Sequence, residues 1–241
     1  MSQIETRWSL VFQAHSDDGE AGASAQRELM ERYAGAVQRY LMCVTRDADA
    51  AADLAQEFAL RFLKGDFHLA DPRRGRFRDY VKRAVLNLVV DAHRRNKSRP
   101  QPLPNEGEAI VDRDHDPAVL ERQFLDCWRD ELLSRAWKRL EELEARGGQP
   151  FHTVLRYRAE NPELRSRQIA EHLAEGLNRP LTAGWVRQTL RRAREKFVGL
   201  VRYEVSLSIG CSSHEALDDE MRDLGLWAYC RPPSVEESGG S

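Results

Sequence analysis

The sequence predicts an all-α protein in which two small helical domains are joined by an acidic, proline-rich linker. Apolar residues recur at intervals of three and four, and no segment alternates convincingly between apolar and polar residues. Four of the ten prolines lie between residues 100 and 117, and they disfavour a helix in this stretch. The expected boundaries are an N-terminal extension at 1–24, a first domain at 25–97, the linker at 98–117, a second domain at 118–205 and an acidic C-terminal extension at 206–241.

The composition argues against a membrane or secreted protein. Hydrophobic residues make up 41% and charged residues 32% of the 241 positions, and no apolar run approaches the roughly 18 residues that a membrane span needs. The first eight residues lack the basic and then apolar order of a secretory signal. The four cysteines are widely scattered, so we expect a reduced, cytoplasmic protein with no membrane association, whose thiols pack as ordinary side chains.

Three helices are predicted in the first domain from their apolar stripes. The expected core positions are Leu29, Tyr33, Val37, Tyr40 and Val44; Leu54, Phe58 and Phe62; and Phe77, Val81, Ala84 and Leu88.

The linker contains Asp112-Arg-Asp-His-Asp116, whose spaced carboxylates are similar to the start of a calcium loop. That loop needs a glycine at its sixth position and a glutamate at its twelfth, where this chain has Pro117 and Gln123. We therefore predict an extended acidic segment rather than a calcium site.

The second domain should contain a long helix that ends at Gly147-Gly148, a short helix capped by Ser166, and a helix capped by Thr182 that runs to about Tyr203. The expected core positions are Leu120, Phe124, Cys127, Leu133, Ala136, Leu140 and Leu143; Ile169, Ala170 and Leu173; and Val186, Leu190, Ala193, Phe197 and Leu200.

Charge is segregated along the chain, although the formal net charge is only -2. Residues 71–99 carry 10 basic and 3 acidic side chains, and residues 156–202 carry 11 and 5. The three segments around them carry net charges of -4, -5 and -6. Two local basic patches between acidic neighbours indicate two separate contacts with nucleic acid. The alternative is a pair of solvated helical faces.

The second patch has the layout of a helix-turn-helix. Opposite its apolar stripe, the last predicted helix presents Arg187, Gln188 and Arg191 near its start. Arginine and glutamine side chains pair bidentately with guanine and adenine edges in a major groove. An amphipathic helix with a solvated arginine face remains the alternative.

The first patch has a different design. Arg83, Asn87 and Arg94 fall within about 40° on one helix, and aromatic residues such as Tyr80 stand among the cations, a mixture suited to unpaired bases. The pattern itself favours a place in the core over a role as stacking platforms for Phe77 and Tyr80. The preceding helix has a polar face that includes acidic and amide groups, which favours a protein partner over DNA.

These residues together resemble a bacterial RNA polymerase sigma factor of the sigma-70 family, in its small two-domain extracytoplasmic-function (ECF) form. Residues 53–63 are similar to region 2.2, residues 75–95 to regions 2.3 and 2.4, and residues 169–195 to the helix-turn-helix of region 4. One departure is that Ile169 and Val186 are 17 residues apart, where the family usually has about 11, so that residues 175–181 hold an insertion.

The resemblance implies three surfaces and their partners. Core RNA polymerase, through its beta-prime clamp helices and its beta subunit, would be bound by Asp53, Gln56, Glu57 and Arg61. Promoter DNA at the minus-10 element would be bound by Arg73, Arg74, Arg76, Arg78, Arg83, Asn87, Arg94 and Arg95. Promoter DNA at the minus-35 element would be bound by Thr182, Gly184, Trp185, Arg187, Gln188, Arg191 and Arg192.

The sequence fits two other classes of function, an enzyme and a free-standing repressor, less well. An enzyme is disfavoured because the chain lacks phosphate-loop, nucleophile-elbow and zinc-protease motifs, so no catalytic residue and no cofactor is expected. Cys211, His214 and Cys230 lack the paired spacing of metal ligands, so no metal is expected. A free-standing dimeric helix-turn-helix repressor is the alternative, but it leaves the first basic patch unexplained. The acidic C-terminal segment is either a simple cap or a contact for self-masking, an anti-sigma factor or another regulatory partner.

Overall fold

The computed structural model describes residues 19–64, 77–97, 117–209 and 214–230. Its regular structure in these ranges is helical throughout, in agreement with the predicted fold class. The helices are α1 (Gly19–Thr45), α2 (Ala48–Leu63), α3 (Phe77–Lys97), α4 (Pro117–Ala145), α5 (Phe151–Glu160), α6 (Ser166–Gly176), α7 (Ala183–Ile209) and α8 (His214–Asp223), followed by a 3-10 helix, Leu226–Cys230.

The chain divides into two compact units. Unit 1 comprises Met1–Glu131 and Ser206–Gly225, and unit 2 comprises Leu132–Val205 and Leu226–Ser241. Helices α4 and α7 therefore each contribute residues to both units. The C-terminal helix α8 belongs to unit 1, which is a grouping that local sequence patterns do not reveal.

The core of unit 1 is rich in aromatic side chains from α1 and α4. Tyr33 stacks on Trp128 with ring centroids 5.0 Å apart, and Tyr40 meets Phe124 edge-on at 5.4 Å. Both tyrosines belong to the apolar stripe predicted for α1 and are buried. Offset and edge-to-face contacts of this kind add specificity to the apolar burial that holds the two helices together.

Glycine at position 35 allows close approach of an acidic side chain from α4. A Cβ atom built on Gly35 would lie 2.5 Å from Oε1 of Glu131. The same carboxylate accepts a hydrogen bond from Arg39 at 3.0 Å. The absence of a side chain at position 35 therefore leaves room for an ion pair between α1 and α4.

Helix α2 begins at a well-formed cap. Asp47 has extended backbone geometry, and its carboxylate accepts hydrogen bonds from the backbone N–H groups of Asp49 at 2.9 Å and Ala50 at 3.1 Å. These bonds satisfy donors that the first turn of a helix leaves open. The predicted stripe of α2, which includes Leu54, Phe58 and Phe62, is buried as expected.

The core face of α3 differs in part from the prediction. Val81 and Leu88 are buried as expected, but Val85 and Val89 complete the face, and Ala84 is only half-buried. The buried arc is centred between Val81 and Val85, which places the small side chain of Ala84 at its edge. The side chain of Phe77 lies outside the described residues.

Unit 2 is built around α4, α6 and α7. Their buried apolar side chains include Leu140, Ile169, Leu190 and Phe197, all predicted core positions. Trp137 adds a ring contact with Phe197 at a centroid distance of 4.6 Å. Helix α4 ends before Gly147, whose φ of 86° requires the conformational freedom of glycine.

Three predicted core positions in unit 2 were wrong in detail. Leu133 and Leu200 are half-buried, and Leu143 is 38% exposed, whereas Leu132 and Val201 are buried. Leu133 and Leu200 each lie one position away from a buried residue of the same helix, and Leu143 lies in the last turn of α4.

The starts of α5, α6 and α7 show how these helices are fixed. The carboxylate of Glu144 accepts hydrogen bonds from the backbone N–H of Thr153, at 3.0 Å, and from its hydroxyl, near the start of α5. Ser166 is the first residue of α6 and not its cap, because Arg165 occupies that position and its backbone N–H donates to Gln168 at 2.9 Å. Thr182 caps α7 as predicted, since its hydroxyl oxygen accepts from the N–H of Trp185 at 3.1 Å.

Candidate protein-binding and nucleic-acid-binding surfaces

The exposed face of α2 combines polar groups with two uncovered leucines. Asp53 and Gln56 are exposed, as a docking surface requires. Leu60 and Leu63 lie on the same face and are 50% and 53% exposed. We call Asp53, Gln56, Leu60 and Leu63 the α2 face. Apolar side chains surrounded by polar ones are typical of a surface that a protein partner covers.

Leu60 and Leu63 were not among the residues selected from the sequence. Their signal is nevertheless present in the spacing, because at 100° per residue both lie on the side of α2 opposite the core residue Phe58. An apolar residue displaced from the core stripe of its own helix is thus the pattern that identifies such an anchor.

Two of the predicted surfaces meet at Glu57. Its carboxylate accepts a hydrogen bond from Arg61 at 2.6 Å and another from Arg95 of α3 at 3.1 Å. Partial burial raises the pKa of Glu57, but the hydrogen bonds from Arg95 and Arg61 outweigh it, so that the pKa is lowered overall. Glu57 and Arg61 were predicted to bind polymerase and Arg95 to bind DNA, and the structure brings all three into one cluster.

The polar side of α3 carries the three residues that were predicted to share one face, and we call them the α3 ladder. Arg83, Asn87 and Arg94 are exposed, whereas Val85 and Leu88 are buried on the other side of the helix. A helix with this division can hold its apolar side in the core while it offers guanidinium and amide donors outward. Three other residues predicted for this surface, Arg73, Arg74 and Arg76, lie outside the described residues.

Arg78 has a different environment from its predicted partners. It is only 5% exposed, and its Nη1 donates to Oε1 of Glu220 in α8 at 2.5 Å. Asp79 lies close by, 3.7 Å from Nη2. In this conformation Arg78 cannot reach a ligand in solvent, because a protein carboxylate already occupies its guanidinium group.

The start of α7 presents the residues predicted for duplex recognition. Val186 and Leu190 face the core, which turns the opposite side outward. The half-buried side chain of Trp185 lies beside the exposed positions. The exposed residues are Thr182, Gly184, Arg187, Gln188, Arg191 and Arg192.

The exposed, arginine-rich side of α7 also contains an acidic residue. Glu195 pairs with Arg191 at 3.5 Å, and both side chains are largely exposed. Because an exposed pair of this kind is weak, Arg191 can exchange Glu195 for a phosphate or a base at little cost.

The connection between α6 and α7 adds a residue that the sequence did not single out. Asn178 has a positive φ of 51°, and Arg179 follows with its N–H bonded to the carbonyl of Ala174 at 3.1 Å. The guanidinium of Arg179 lies over the ring of Trp185, 4.6 Å from its centroid. The connection between α6 and α7 is therefore tied to the first turn of α7 by a cation–π contact.

The segment that contains α2 and α3 is similar to a known protein family. Residues 29–99 match the family model of Sigma-70 region 2. The Sigma-70 region 2 segment includes α2, α3 and most of α1, and it covers less than a third of the chain. The match shows that this segment is similar to region 2 of sigma-70 proteins, which are transcription initiation factors. No curated protein and no solved structure matches the chain.

The described residues contain neither a membrane-spanning helix nor a metal-binding cluster. Within residues 19–64, 77–97, 117–209 and 214–230, no helix is long and apolar enough to cross a membrane. Across the same described ranges, no three or more His, Cys, Asp or Glu side chains come together as a metal site would require.

Proposed function

We propose that this protein is a sigma factor of the extracytoplasmic-function type, which binds core RNA polymerase and directs it to promoters. The observation that carries the proposal is the match of residues 29–99 to Sigma-70 region 2, together with the exposed surfaces on α2 and α3 in that segment. Under this proposal residues 25–97 act as region 2, residues 118–205 as region 4 and residues 98–117 as the linker.

The α2 face would dock on the beta-prime clamp helices of the polymerase. The polar residues Asp53 and Gln56 would provide specificity, and Leu60 and Leu63 would provide apolar area. Supporting this, Leu60 and Leu63 are about half exposed although they lie beside a well-packed core. An apolar centre surrounded by a polar rim is the usual arrangement of a protein interface.

The α3 ladder would hold the minus-10 element once its strands separate. Arg83 and Arg94 would neutralise phosphates, and Asn87 would offer an amide that both donates and accepts hydrogen bonds to a base edge. Arg95 would also bind the DNA. Because it pairs with Glu57 on α2, it would connect the polymerase-binding surface to the DNA-binding surface.

The start of α7 would read the minus-35 element in the major groove. Arg187 and Gln188 lie in the second turn of the helix and are exposed, and they would make the base contacts. Arg191 and Arg192 would then grip the backbone. The support for this step is the division of α7 into a buried apolar side and an exposed arginine-rich side.

In vitro transcription with purified core polymerase tests the proposal directly. A library of upstream sequences would serve as templates, and we expect run-off products from a subset that shares two elements. Absence of product from every template would refute the proposal.

A paired substitution tests the docking step. Gln56→Lys combined with Glu57→Lys should abolish copurification with core polymerase, because it adds a charge at Gln56 of the α2 face and reverses the charge of the neighbouring Glu57. Gln38→Lys on α1, also an exposed position, is the matched control and should copurify normally. Retention of the paired variant would place the interface elsewhere.

The alternative is a free-standing dimeric helix-turn-helix repressor, which the exposed side of α7 alone would also allow. Such a protein would bind duplex operators at half-sites one helical turn apart without polymerase. Sedimentation and duplex-binding measurements on the chain alone separate the two, since the sigma proposal predicts a monomer with weak duplex affinity.

A further inference from the structure

We propose that α8 competes with DNA for Arg78. Glu220 of α8 pairs with Arg78 until a nucleic-acid strand displaces the helix. The inference rests on the proposed function in one respect, because it takes Arg78 as a nucleic-acid contact. It assigns a regulatory role to the acidic C-terminal helix, which the sigma-factor proposal leaves unused.

The contact between Arg78 and Glu220 uses the same chemistry as a contact between arginine and phosphate. Arg78 lies at the start of α3 in a segment with 10 basic and 3 acidic side chains, yet it is 5% exposed and bonded to Glu220 at 2.5 Å. Glu220 itself is 1% exposed. A carboxylate and a phosphate both accept hydrogen bonds from the edge of a guanidinium group. Glu220 therefore takes the place that a phosphate would need.

The helix around Glu220 is acidic. The ten residues of α8 contain five carboxylates and one arginine, so their formal charge is -4. The arginine, Arg222, pairs locally with Asp219 at 2.6 Å. Besides blocking Arg78, the bound helix thus adds negative charge beside a basic patch, which opposes the approach of another polyanion.

The contact is also reversible. A helix of ten residues is below the length at which an isolated helix is stable in water, so α8 depends on its packing. That packing comes from Met221, which is buried, from Leu224, which is buried directly after the helix, and from the pair of Glu220 with Arg78. The free energy gained from a buried ion pair is offset by the cost of desolvating both charges. The contact therefore selects one position for α8 without making its release prohibitive.

Single-stranded DNA binding by the full chain tests the inference. Glu220→Gln keeps the size of the side chain but removes its charge, and Asp219→Asn removes the same charge from an exposed neighbour. With a fluorescent oligonucleotide and anisotropy, we expect Glu220→Gln to tighten binding about fivefold or more, the lower range of allosteric coupling. Asp219→Asn should change it by less than about twofold, because an exposed charge is screened.

The dependence on Arg78 is tested by a double variant. In an Arg78→Gln background, Glu220→Gln should no longer tighten binding, since the residue that it releases is missing. Unchanged affinity of the Glu220→Gln variant, equal tightening by Asp219→Asn, or tightening that persists without Arg78 would each overturn the proposal.

Hydrogen exchange on the unmodified chain gives a second measurement that needs no substitution. Saturating single-stranded DNA should accelerate exchange of the α8 amides, because the displaced helix loses its packing. Unchanged or slower exchange would overturn the displacement step, even if Glu220→Gln failed to fold.

The two proposals fail in different ways. If the unmodified chain supports run-off transcription but α8 is not displaced by DNA, the competitor proposal is wrong and the sigma factor proposal stands. If α8 is displaced by DNA but no template is transcribed, the sigma factor proposal is wrong and the α8 contact stands as a control on nucleic-acid binding.

Discussion

Removal of the two exposed leucines of α2 should weaken binding to core polymerase without affecting the fold. Full burial of a leucine side chain contributes about 1.5–3 kcal/mol. Leu60 and Leu63 are 50% and 53% exposed, so an interface that covers the remaining half would gain about 0.7–1.5 kcal/mol from each. For the pair this amounts to about 1.5–3 kcal/mol, or an increase in Kd of about 10- to 150-fold. Since alanine retains one carbon of each side chain, the lower part of this range is expected for Leu60→Ala with Leu63→Ala.

The assay is a titration of fluorescently labelled protein with core polymerase at two salt concentrations. Apolar burial is far less sensitive to salt than ion pairing, so the loss should be similar at both concentrations. Leu143→Ala in unit 2 is the matched control, because it is the same substitution at a position that is 38% exposed. All variants should unfold within about 0.5 kcal/mol of the parent, as exposed substitutions do. An unchanged Kd for the double variant would refute the idea that the α2 face is the docking surface.

Three further outcomes are expected. Arg187→Ala and Gln188→Ala should each relax base preference in the minus-35 element, by about 1–3 kcal/mol per bidentate contact, as measured by binding to a library of duplexes in the presence of core polymerase. Asn87→Ala should slow promoter opening, followed with a fluorescent base in the minus-10 element, while capture of the closed duplex is retained. A thiol-alkylating reagent at pH 8 should modify the exposed Cys43 but not Cys127. Burial raises the pKa of Cys127 to about 11, so this side chain stays in its unreactive thiol form. Peptide mass mapping measures the modification of both cysteines.

Each of these three outcomes has a control or a result that would contradict it. Arg167→Ala, at an exposed position on α6 paired with Glu171, should leave the base preference unchanged, and unchanged preference in both α7 variants would mean that α7 does not read bases. Equal losses in duplex capture and opening would contradict the role given to Asn87. Rapid native alkylation of Cys127 would show that the α1 and α4 packing opens more readily than the structure indicates.

The local features of the fold could be predicted because they depend on neighbouring residues. Helical periodicity identified the stripes of α1, α2 and α7, and hydroxyl chemistry identified Thr182 as a cap. Where the prediction erred, as at Ala84 or Leu200, a position beside the buried arc was chosen in place of the one within it. Periodicity fixes the direction of a face, but the size of the partner helix decides how far that face is covered.

The long-range features could not be predicted in this way. The contact between Arg78 and Glu220 joins residues 142 positions apart, and nothing in the local pattern of either residue indicates it. Similarly, Glu57, Arg61 and Arg95 were assigned to different partners because they lie on different helices, and only the folded chain brings them together. Charge segregation located the basic patches, but it could not show which cations are already occupied by carboxylates.

The aromatic contacts between α1 and α4 determine how this protein can be dissected. A fragment that ended near residue 97 would lose Phe124 and Trp128, and the rings of Tyr33 and Tyr40 that pack against them would face water. Such a fragment should be prone to aggregation. A fragment that ended at residue 131 would keep those rings covered but would lose the helix that contains Glu220. Recombinant fragments intended to represent the first half of this chain should therefore extend through α4 and be mixed with a peptide that covers α8.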